Sequence, residues 1–300
     1  MRQNKLAISD TTPIISVLMP AYNSRKTIKL AVKSCLLAMP KRSELLVYLD
    51  GCTDDTADKL SQIRDSRLRV IESKINQGQH IGRQILLESA KADLVATMDS
   101  DDVCFPWRFK SQLKTLNRTS ADIVFGASVM FGPGVKGLPF LPELPFKLTF
   151  DTAGPALVFV NPFVNSTMVG RRSAIEKVGG YCNRIEDLYL WLQASNAGLK
   201  MLKTRGYMMG YRVHLGSLSH SDSYREVLQN DPELAKLKDL HRGKILEGIE
   251  GLSVDEKLKN LLEYMTRNSP GFVLYYMGLR RGSRTFLQKL FVRLFKFFCS

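Results

Sequence analysis

The chain has few of the features that mark secreted proteins, proteins with structural zinc sites or membrane-spanning proteins. Its five cysteines are odd in number and lack Cys-x-x-Cys spacing, so neither a disulfide framework nor a zinc site is implied. No run reaches about 18 consecutive apolar residues, which a membrane-spanning helix would need. The opening residues also lack the apolar segment of a signal peptide. We therefore expect a cytoplasmic protein.

Acidic residues are in deficit, and the formal net charge is +14 at pH 7. Such a charge predicts an anionic partner: nucleic acid, an anionic membrane or a phosphorylated substrate. Much of the excess lies late in the chain, in a group without an intervening acid: Arg280, Arg281, Arg284, Lys289, Arg293 and Lys296. With 44% hydrophobic and 24% charged residues, the composition is otherwise that of a globular protein with a buried core.

Strand and helix patterns alternate through the first half of the chain. Apolar runs bounded by turn residues predict strands at 14–19, 45–49, 68–71, 94–97 and 123–131. Helices are predicted at 24–38, at 79–90 and from Pro106. Another helix is predicted between the second and third strands, with Thr53 or Asp54 as its N-cap. A Gly- and Pro-rich loop is predicted at 132–145, and helices from about residue 223. Repeated β-α units favour an α/β fold with a largely parallel sheet that binds ligands at the carboxyl ends of its strands.

An acidic run, Met98-Asp99-Ser100-Asp101-Asp102, directly follows the predicted strand at 94–97. Asp99 and Asp101 are two residues apart and would point the same way in an extended chain. Two carboxylates directed at one point repel each other unless a cation lies between them. Oxygen ligands of this kind suit Mg²⁺ or Mn²⁺, which also bind phosphate oxygens. The alternative is a solvated acidic turn that caps the next helix.

Five further polar motifs accompany the acidic run. In chain order they are Pro20-Ala21-Tyr22-Asn23, Asp50-Gly51-Cys52-Thr53-Asp54-Asp55-Thr56, Asn76-Gln77-Gly78 with Arg83, Glu186-Asp187 and Tyr211-Arg212-Val213-His214. The order and spacing of all six motifs resemble the family 2 glycosyltransferases of GT-A fold, over about residues 14–220. The resemblance implies an inverting enzyme that moves a sugar from a nucleotide-sugar donor to a glycan or lipid-linked acceptor, in cell-surface polysaccharide biosynthesis.

The resemblance also implies a domain organisation. A GT-A-type domain at 13–220 would consist of a nucleotide-sugar-binding half at 13–131 and an acceptor-binding half at 132–220. Residues 221–300 would form a helical C-terminal region with a basic amphipathic tail at 281–300. A UDP-sugar is the favoured donor. The family usually carries a second acid where this chain has Leu49, which leaves the identity of the base open.

Individual residues take their roles from the same resemblance. The residues implied at the nucleotide-sugar site are Pro20, Tyr22, Asn23, Asp50, Asn76, Gly78, Arg83, Asp99, Ser100, Arg212 and His214. The ligands implied for Mn²⁺ or Mg²⁺ are Asp99, Asp101 and His214. Asp187, with Glu186 beside it, is implied as the base that deprotonates the acceptor hydroxyl.

Structural explanations stay open for several of these residues. Asp50 could do no more than cap the helix that follows it, and Arg83 could be a surface arginine beside a loop turn. Acids in the first turn of a helix, such as Glu186 and Asp187, are favoured by the helix dipole whatever their role. A single histidine such as His214 is more often an ordinary surface or core residue.

The tail at 281–300 combines an apolar and a basic stripe at helical spacing. Its apolar members are Phe286, Leu287, Leu290, Phe291, Leu294, Phe295 and Phe298. A helix of this kind is too short to span a bilayer but suits an anionic membrane surface, which would place the protein peripherally at the inner face of the cell membrane. The alternative is that the apolar stripe packs on the catalytic domain or on a second subunit.

Three other functions compete with the glycosyltransferase interpretation. A nucleotidyltransferase would carry a Gly-rich, basic loop after the first strand, where this chain has Pro20-Ala21-Tyr22-Asn23. A nucleic-acid-binding protein would intersperse its basic residues with stacking aromatics in a recognisable module, and none is present, so no nucleic-acid partner is expected. A non-catalytic sugar-nucleotide binder is the third, but Asp50, Asp99, Asp101 and Asp187 are all retained.

Overall fold

In a computed structural model of the protein, the described residues are 12–133, 135, 140–183, 186–214, 226, 228–247 and 253–280. The amphipathic tail predicted at 281–300 lies outside them. Within the described residues, no helix is long and apolar enough to cross a bilayer.

One sheet organises the described chain. Its nine strands are β1 (Ser16–Ala21), β2 (Glu44–Asp50), β3 (Leu68–Ser73), β4 (Leu94–Thr97), β5 (Val103–Cys104), β6 (Ile123–Phe131), β7 (Phe140–Pro142), β8 (Val169–Arg171) and β9 (Met201–Arg212). The spatial order is β3-β2-β1-β4-β8-β6-β9-β5, with β7 paired to β6. The strands predicted within residues 14–131 are confirmed.

The predicted α/β fold with a largely parallel sheet flanked by helices is confirmed, and the antiparallel pairings lie in the second half of the sheet. Strands β3, β2, β1 and β4 pair in parallel, as β-α units require. From β8 onward the direction changes: β8 is antiparallel to both β4 and β6, while β6 and β9 are parallel. The short strand β7 lies inside the loop predicted at 132–145 and pairs antiparallel with the end of β6.

Helices cover both faces of the sheet. They are α1 (Ile28–Ala38), α2 (Thr56–Ser61), α3 (Gln79–Ser89), α4 (Arg108–Arg118), α5 (Phe150–Phe159), α6 (Arg172–Lys177), α7 (Glu186–Asn196), α8 (Pro232–Leu246), α9 (Val254–Asn268) and α10 (Pro270–Arg280). Three predicted starts were wrong. Helix α1 begins at Ile28, four residues later than predicted. Helix α2 is preceded by Asp55, whose side chain makes no cap, while Asp54 accepts from the Thr56 amide at 3.0 Å. Helix α4 begins at Arg108 because Pro106 lies in a turn closed by Arg108 N–H and Phe105 O at 3.0 Å.

Alternate residues of the central strands divide the core into two layers. Val17 and Met19 of β1 point to the side of α1, α2 and α4, while Leu18 points to the side of α3, α5 and α7. All three side chains are fully buried. The sheet therefore supports two hydrophobic cores and leaves the ends of its strands free for polar loops.

The C-terminal helices pack on the second half of the sheet domain. Helix α8 contacts α5 and α7, and α9 contacts α5 and α10. Buried His241 of α8 donates from Nε2 to Gly154 O of α5 at 3.0 Å, and burial lowers the pKa of this imidazole. The predicted helical C-terminal region is confirmed for α8 to α10.

A buried ion pair joins β9 to the segment around β7. Lys203 Nζ lies 2.6 Å from Glu143 Oε1 and donates to Pro162 O at 3.0 Å. Lys203 is fully buried, and its ammonium group lies 4.6 Å from the ring centre of Phe146. Loss of one partner would leave the other charge buried and unpaired, which is costly in a low-dielectric interior.

Lys203→Met is expected to lower the free energy of unfolding by about 3–5 kcal/mol, because Glu143 would keep a buried charge without its cation. In urea denaturation, the double variant Glu143→Gln/Lys203→Met should be more stable than Lys203→Met alone. Lys200→Met on the exposed surface is the control and should change stability by no more than about 0.5 kcal/mol. A Lys203→Met variant as stable as this control would contradict the expectation.

Candidate active site

The acidic run forms a turn at the end of β4. The Asp102 amide donates to Asp99 O at 3.3 Å, so the chain does not stay extended past Thr97. Asp99 and Asp101 consequently meet different partners, although they remain close enough for the charge of one to raise the pKa of the other. The turn lies at the carboxyl end of a parallel strand, where sheets of this kind bind ligands.

Asp99 is held by side chains from two other elements. Arg83 of α3 forms an ion pair with Asp99 Oδ1, and Gln79 Nε2 donates to the same oxygen at 3.3 Å. Ser166 Oγ donates to Asp99 Oδ2. The Arg83 side chain is only 3% exposed, so it is a buried part of the site and not a surface arginine.

Asp101 faces the opposite side, toward the residues after β9. Its Oδ2 lies 2.9 Å from His214 Nε2, and the two side chains are 30% and 34% exposed. Burial, followed by the charge of Asp99, raises the pKa of Asp101. Burial, followed by the charges of Asp99 and Asp101, raises the pKa of Asp102 well above its usual range. The loop therefore concentrates negative charge that a cation would stabilise.

Arg212, the last residue of β9, fixes the shape of this loop. Its amide donates to Asp102 Oδ1 at 2.8 Å, and its Nε donates to Asp101 O at 2.7 Å. The guanidinium carbon lies 4.5 Å from the ring centre of Phe131. The Arg-x-His piece thus contacts the acidic run through both of its polar members.

Asp50 holds the loop that contains Asn76 and Gly78. Its two carboxylate oxygens accept the amides of Gln77 at 2.7 Å and Gly78 at 2.9 Å. Gly51 has a φ of +64°, and a Cβ there would lie 2.4 Å from the Asn76 nitrogen, so only glycine allows the loops to approach this closely. Asn76 is exposed at the tip.

The loop after β1 is tied to its neighbours. Asn23, with a φ of +46°, accepts the Thr53 amide at 2.9 Å, and Ser24 Oγ lies 2.7 Å from Ser100 Oγ. Tyr22 is 50% exposed beside them and offers a free ring surface. Pro20 is buried within β1, opposite Tyr48 of β2, so its side chain lies in the sheet and not in the open part of the site.

Asp187, in the first turn of α7, is placed by a segment that also reaches the acidic run. Asn161 Nδ2 donates to Asp187 Oδ2 at 3.1 Å, and the Leu188 amide donates to Asp187 Oδ1 at 2.7 Å. Five residues further on, Ser166 contacts Asp99. We call residues 161–166 the bridging segment. Glu186 is the first residue of α7.

Among the described residues, no group of three or more His, Cys, Asp or Glu side chains forms a ready-made metal site. Arg83 and Ser166 already occupy Asp99. Asp101 and His214 nevertheless fit two positions of an octahedral Mg²⁺ or Mn²⁺ shell: ligand distances of about 2.1 Å put adjacent ligand atoms about 3 Å apart, and their atoms are 2.9 Å apart. Such ions usually take only one or two carboxylates and complete their shell with water and substrate phosphates.

Four residues of the site contact its carboxylates or belong to them without having been given that role from the sequence: Gln79, Asp102, Asn161 and Ser166. Asp102 lies in the acidic run, where only Asp99, Ser100 and Asp101 were assigned roles in binding the nucleotide-sugar or the metal. Gln79 opens α3 at the same loop as Gly78, a position from which it reaches Asp99. Neither Asn161 nor Ser166 lies in a predicted helix or strand, so only the folded structure shows that they contact the carboxylates.

Comparison with known proteins places this arrangement in a family. The chain is 27% identical over 230 residues, 75% of its length and 86% of the relative's, to the Escherichia coli UDP-Glc:alpha-D-GlcNAc-diphosphoundecaprenol beta-1,3-glucosyltransferase WfaP. It is 28% identical, over 69% of its length and 82% of the relative's, to the Bacillus subtilis putative teichuronic acid biosynthesis glycosyltransferase TuaG. A crystal structure of S. aureus TarS 1-349 with UDP-GlcNAc shares the fold, with a TM-score of 0.59, 19% identity and coverage of 90% of this chain and 92% of that one. The model of Glycosyl transferase family 2 matches residues 16–179, more than half of the chain, and the protein belongs to that family of glycosyltransferases.

Proposed function

We propose that the chain transfers a sugar from a UDP-sugar to a lipid-linked acceptor, with inversion at the anomeric carbon, in the synthesis of a cell-surface polysaccharide. The names of WfaP and TuaG support the donor, the acceptor class and the pathway. The observation that carries the chemistry is the bridging segment. It contacts Asp187 through Asn161 and Asp99 through Ser166, so the proposed base and the proposed donor loop belong to one site.

Asp187 is the proposed general base. Its oxygens accept hydrogen bonds from Asn161 and from the Leu188 amide, which fix the carboxylate in one orientation. A carboxylate can take the proton of a sugar hydroxyl as the alcohol becomes acidic during bond formation. The acceptor oxygen then bonds to the anomeric carbon from the face opposite the nucleoside diphosphate. The bond to the leaving phosphate oxygen breaks, and its electron pair goes to that diphosphate.

The donor would lie at the ends of β1, β2 and β4. Tyr22 and Asp50 are proposed to contact the base, and Arg83 to lie near the diphosphate. Asp101 and His214 would hold Mn²⁺ or Mg²⁺, which supplies positive charge to the departing nucleoside diphosphate when bound. Arg212 keeps the acidic loop in position for this task through its bonds to Asp101 and Asp102.

A donor panel tests the proposed function. UDP-, GDP- and dTDP-sugars are incubated with the enzyme, a lipid-linked acceptor and Mn²⁺ or Mg²⁺, and nucleotide release is measured. We expect release from UDP-sugars, its loss in excess EDTA, and its loss in Asp101→Asn, which removes a charged ligand of the cation. Asp58→Asn, an exposed carboxylate on α2, is the matched control and should keep full activity. Full turnover in EDTA would refute the metal requirement, and preference for GDP or dTDP would refute the donor.

Asp187→Asn tests the base. The amide keeps the shape of the carboxylate but cannot accept the proton, so turnover should fall by about 10² to 10⁴. Affinity for the UDP-sugar, measured by calorimetry, should stay nearly unchanged because the substitution does not touch the donor loop. The neighbouring Glu186→Gln is the comparison, with a smaller loss expected. Equal turnover in Asp187→Asn and wild type would remove Asp187 from this role.

The tail at 281–300 is proposed as a peripheral membrane anchor, on its sequence pattern alone. A protein truncated after Arg280 is expected to bind anionic vesicles less tightly in co-sedimentation and to retain nucleotide release. Unaltered binding, or a truncated protein that fails to fold, would favour packing of the tail on protein.

A further inference from the structure

The layer formed by α1 and α4 is strongly one-sided in charge. Residues 25–42, which include α1, contain six basic residues and no acid: Arg25, Lys26, Lys29, Lys33, Lys41 and Arg42. Residues 105–118, which include α4, again contain no acid. Three of their basic residues, Lys110, Lys114 and Arg118, are exposed, while a fourth, Arg108, is fully buried. The two helices pack against each other on one side of the sheet. Acids of the same layer lie at and before α2, where Asp54, Asp55 and Asp58 stand, so the uncompensated positive charge lies on α4 and the neighbouring surface of α1.

The outer face of α1 alternates cations with exposed leucines. Leu30, Lys33 and Leu37 recur at three- and four-residue spacing, so they lie on one side of the helix, and Lys26 stands in the turn just before it. Leu30 is 50% exposed and Leu37 is 76% exposed. The inward side of α1 is fully buried in the core, so these leucines are not needed to fill it. Exposed leucines between lysines are typical of a helix that lies in a membrane interface.

Helix α4 presents a matching surface. Lys110, Lys114 and Arg118 follow one another at four-residue spacing and are all exposed. Together with Met39, Pro40 and Leu113 they line an open groove of about 630 Å³ between the end of α1 and α4. Trp107 lies at the start of α4 with 54% of its surface exposed, while its Nε1 donates to Tyr207 O at 2.7 Å. The indole N–H is thus satisfied by the protein, and the ring is left at the surface.

These cations have no anionic partner within the described part of the chain. None of Lys33, Lys110, Lys114 and Arg118 forms an ion pair there. Like charges four residues apart on a helix destabilise each other. The opposite layer differs, because α8 and α9 mix acids with bases: Glu233, Lys236, Lys238, Asp239, Asp255, Glu256, Lys257 and Lys259. The uncompensated charge is a property of the α1–α4 face.

We propose that the α1–α4 face docks on an anionic phospholipid bilayer. Lys33, Lys110, Lys114 and Arg118 contact headgroup phosphates, and Leu37 and Trp107 enter the interfacial layer. Charge complementarity selects an anionic surface. The exposed leucines and tryptophan select a bilayer over a nucleic acid, because apolar side chains and indole rings are stabilised at the boundary between headgroups and acyl chains.

The face begins beside the active site. Pro106 follows Asp102 by four residues, and α1 begins after the Tyr22–Ser24 loop. The other end of α1 leads through Met39 and Pro40 of the groove into the start of β2, away from the carboxyl ends of the strands. Docking on the α1–α4 face needs neither donor nor acceptor.

The test measures binding of the full-length chain to vesicles of phosphatidylglycerol and phosphatidylcholine, without substrates. In co-sedimentation, Lys110→Gln/Lys114→Gln/Arg118→Gln should bind on the order of 100-fold more weakly, since each basic residue near an anionic surface contributes about fivefold. The matched control, Lys236→Gln/Lys238→Gln/Lys259→Gln, removes the same charge from the opposite layer and should lose far less. Equal losses in the two variants, or no loss in the first, would overturn the proposal. Binding of an RNA or DNA duplex in place of the vesicles would overturn it as well.

Tryptophan fluorescence gives a second readout that separates this face from the tail. The chain has two tryptophans, of which Trp107 is exposed and Trp191 is fully buried. Vesicles with brominated acyl chains should quench the emission of the bound wild type, and Trp107→Phe should abolish the quenching without preventing binding. Bound wild-type protein whose emission is not quenched would be attached elsewhere, and the proposal would fail.

Discussion

Three carboxylates follow one another at the end of β4, and their mutual repulsion has to be offset for the site to exist. The protein does this with partners from different parts of the chain. Arg83 of α3 neutralises Asp99, the Arg212 amide at the end of β9 binds Asp102, and His214 faces Asp101. The parallel half of the sheet supplies the first partner and the mixed half supplies the other two. The electrostatics of one short loop therefore depend on correct assembly of both halves.

The change of strand direction at β8 makes this assembly feasible. A fully parallel sheet would send the chain back through a helix after every strand. Here β8 runs antiparallel between β4 and β6, and the 3₁₀ turn Asn165–Thr167 just before it lies against the end of β4. Ser166 reaches Asp99 from that turn. The residues that contact the acidic loop from the second half thus owe their position to sheet topology and not to local sequence.

Sequence patterns were sufficient for the strands of the first half of the fold and for the position of the acidic loop, but not for its turned shape. Apolar periodicity reports which residues are buried, and burial of β1, β2 and β4 is what the sequence predicted. Periodicity does not report pairing direction, so the antiparallel pairings of the second half could not be located from the sequence. It also gave no signal for Asn161 or Ser166, which become part of the site only through contacts distant in sequence. Arg83 and His214 were found because residue type and motif order were informative. The ligand set implied by the resemblance already grouped His214 with Asp101, whereas the ion pair of Arg83 with Asp99 was not predicted.

The bridging segment gives the two sides of the site a common mechanical element. At one end of this segment, Asn161 contacts Asp187, which is proposed to activate the acceptor. At the other end, Ser166 contacts Asp99 in the loop proposed to hold the donor. A ligand that displaces this segment from either end alters the surroundings of the other. Affinities for the two substrates are then linked, and thermodynamic linkage requires each to change the affinity for the other by the same factor. Coupled binding of donor and acceptor would then follow from the packing of six residues.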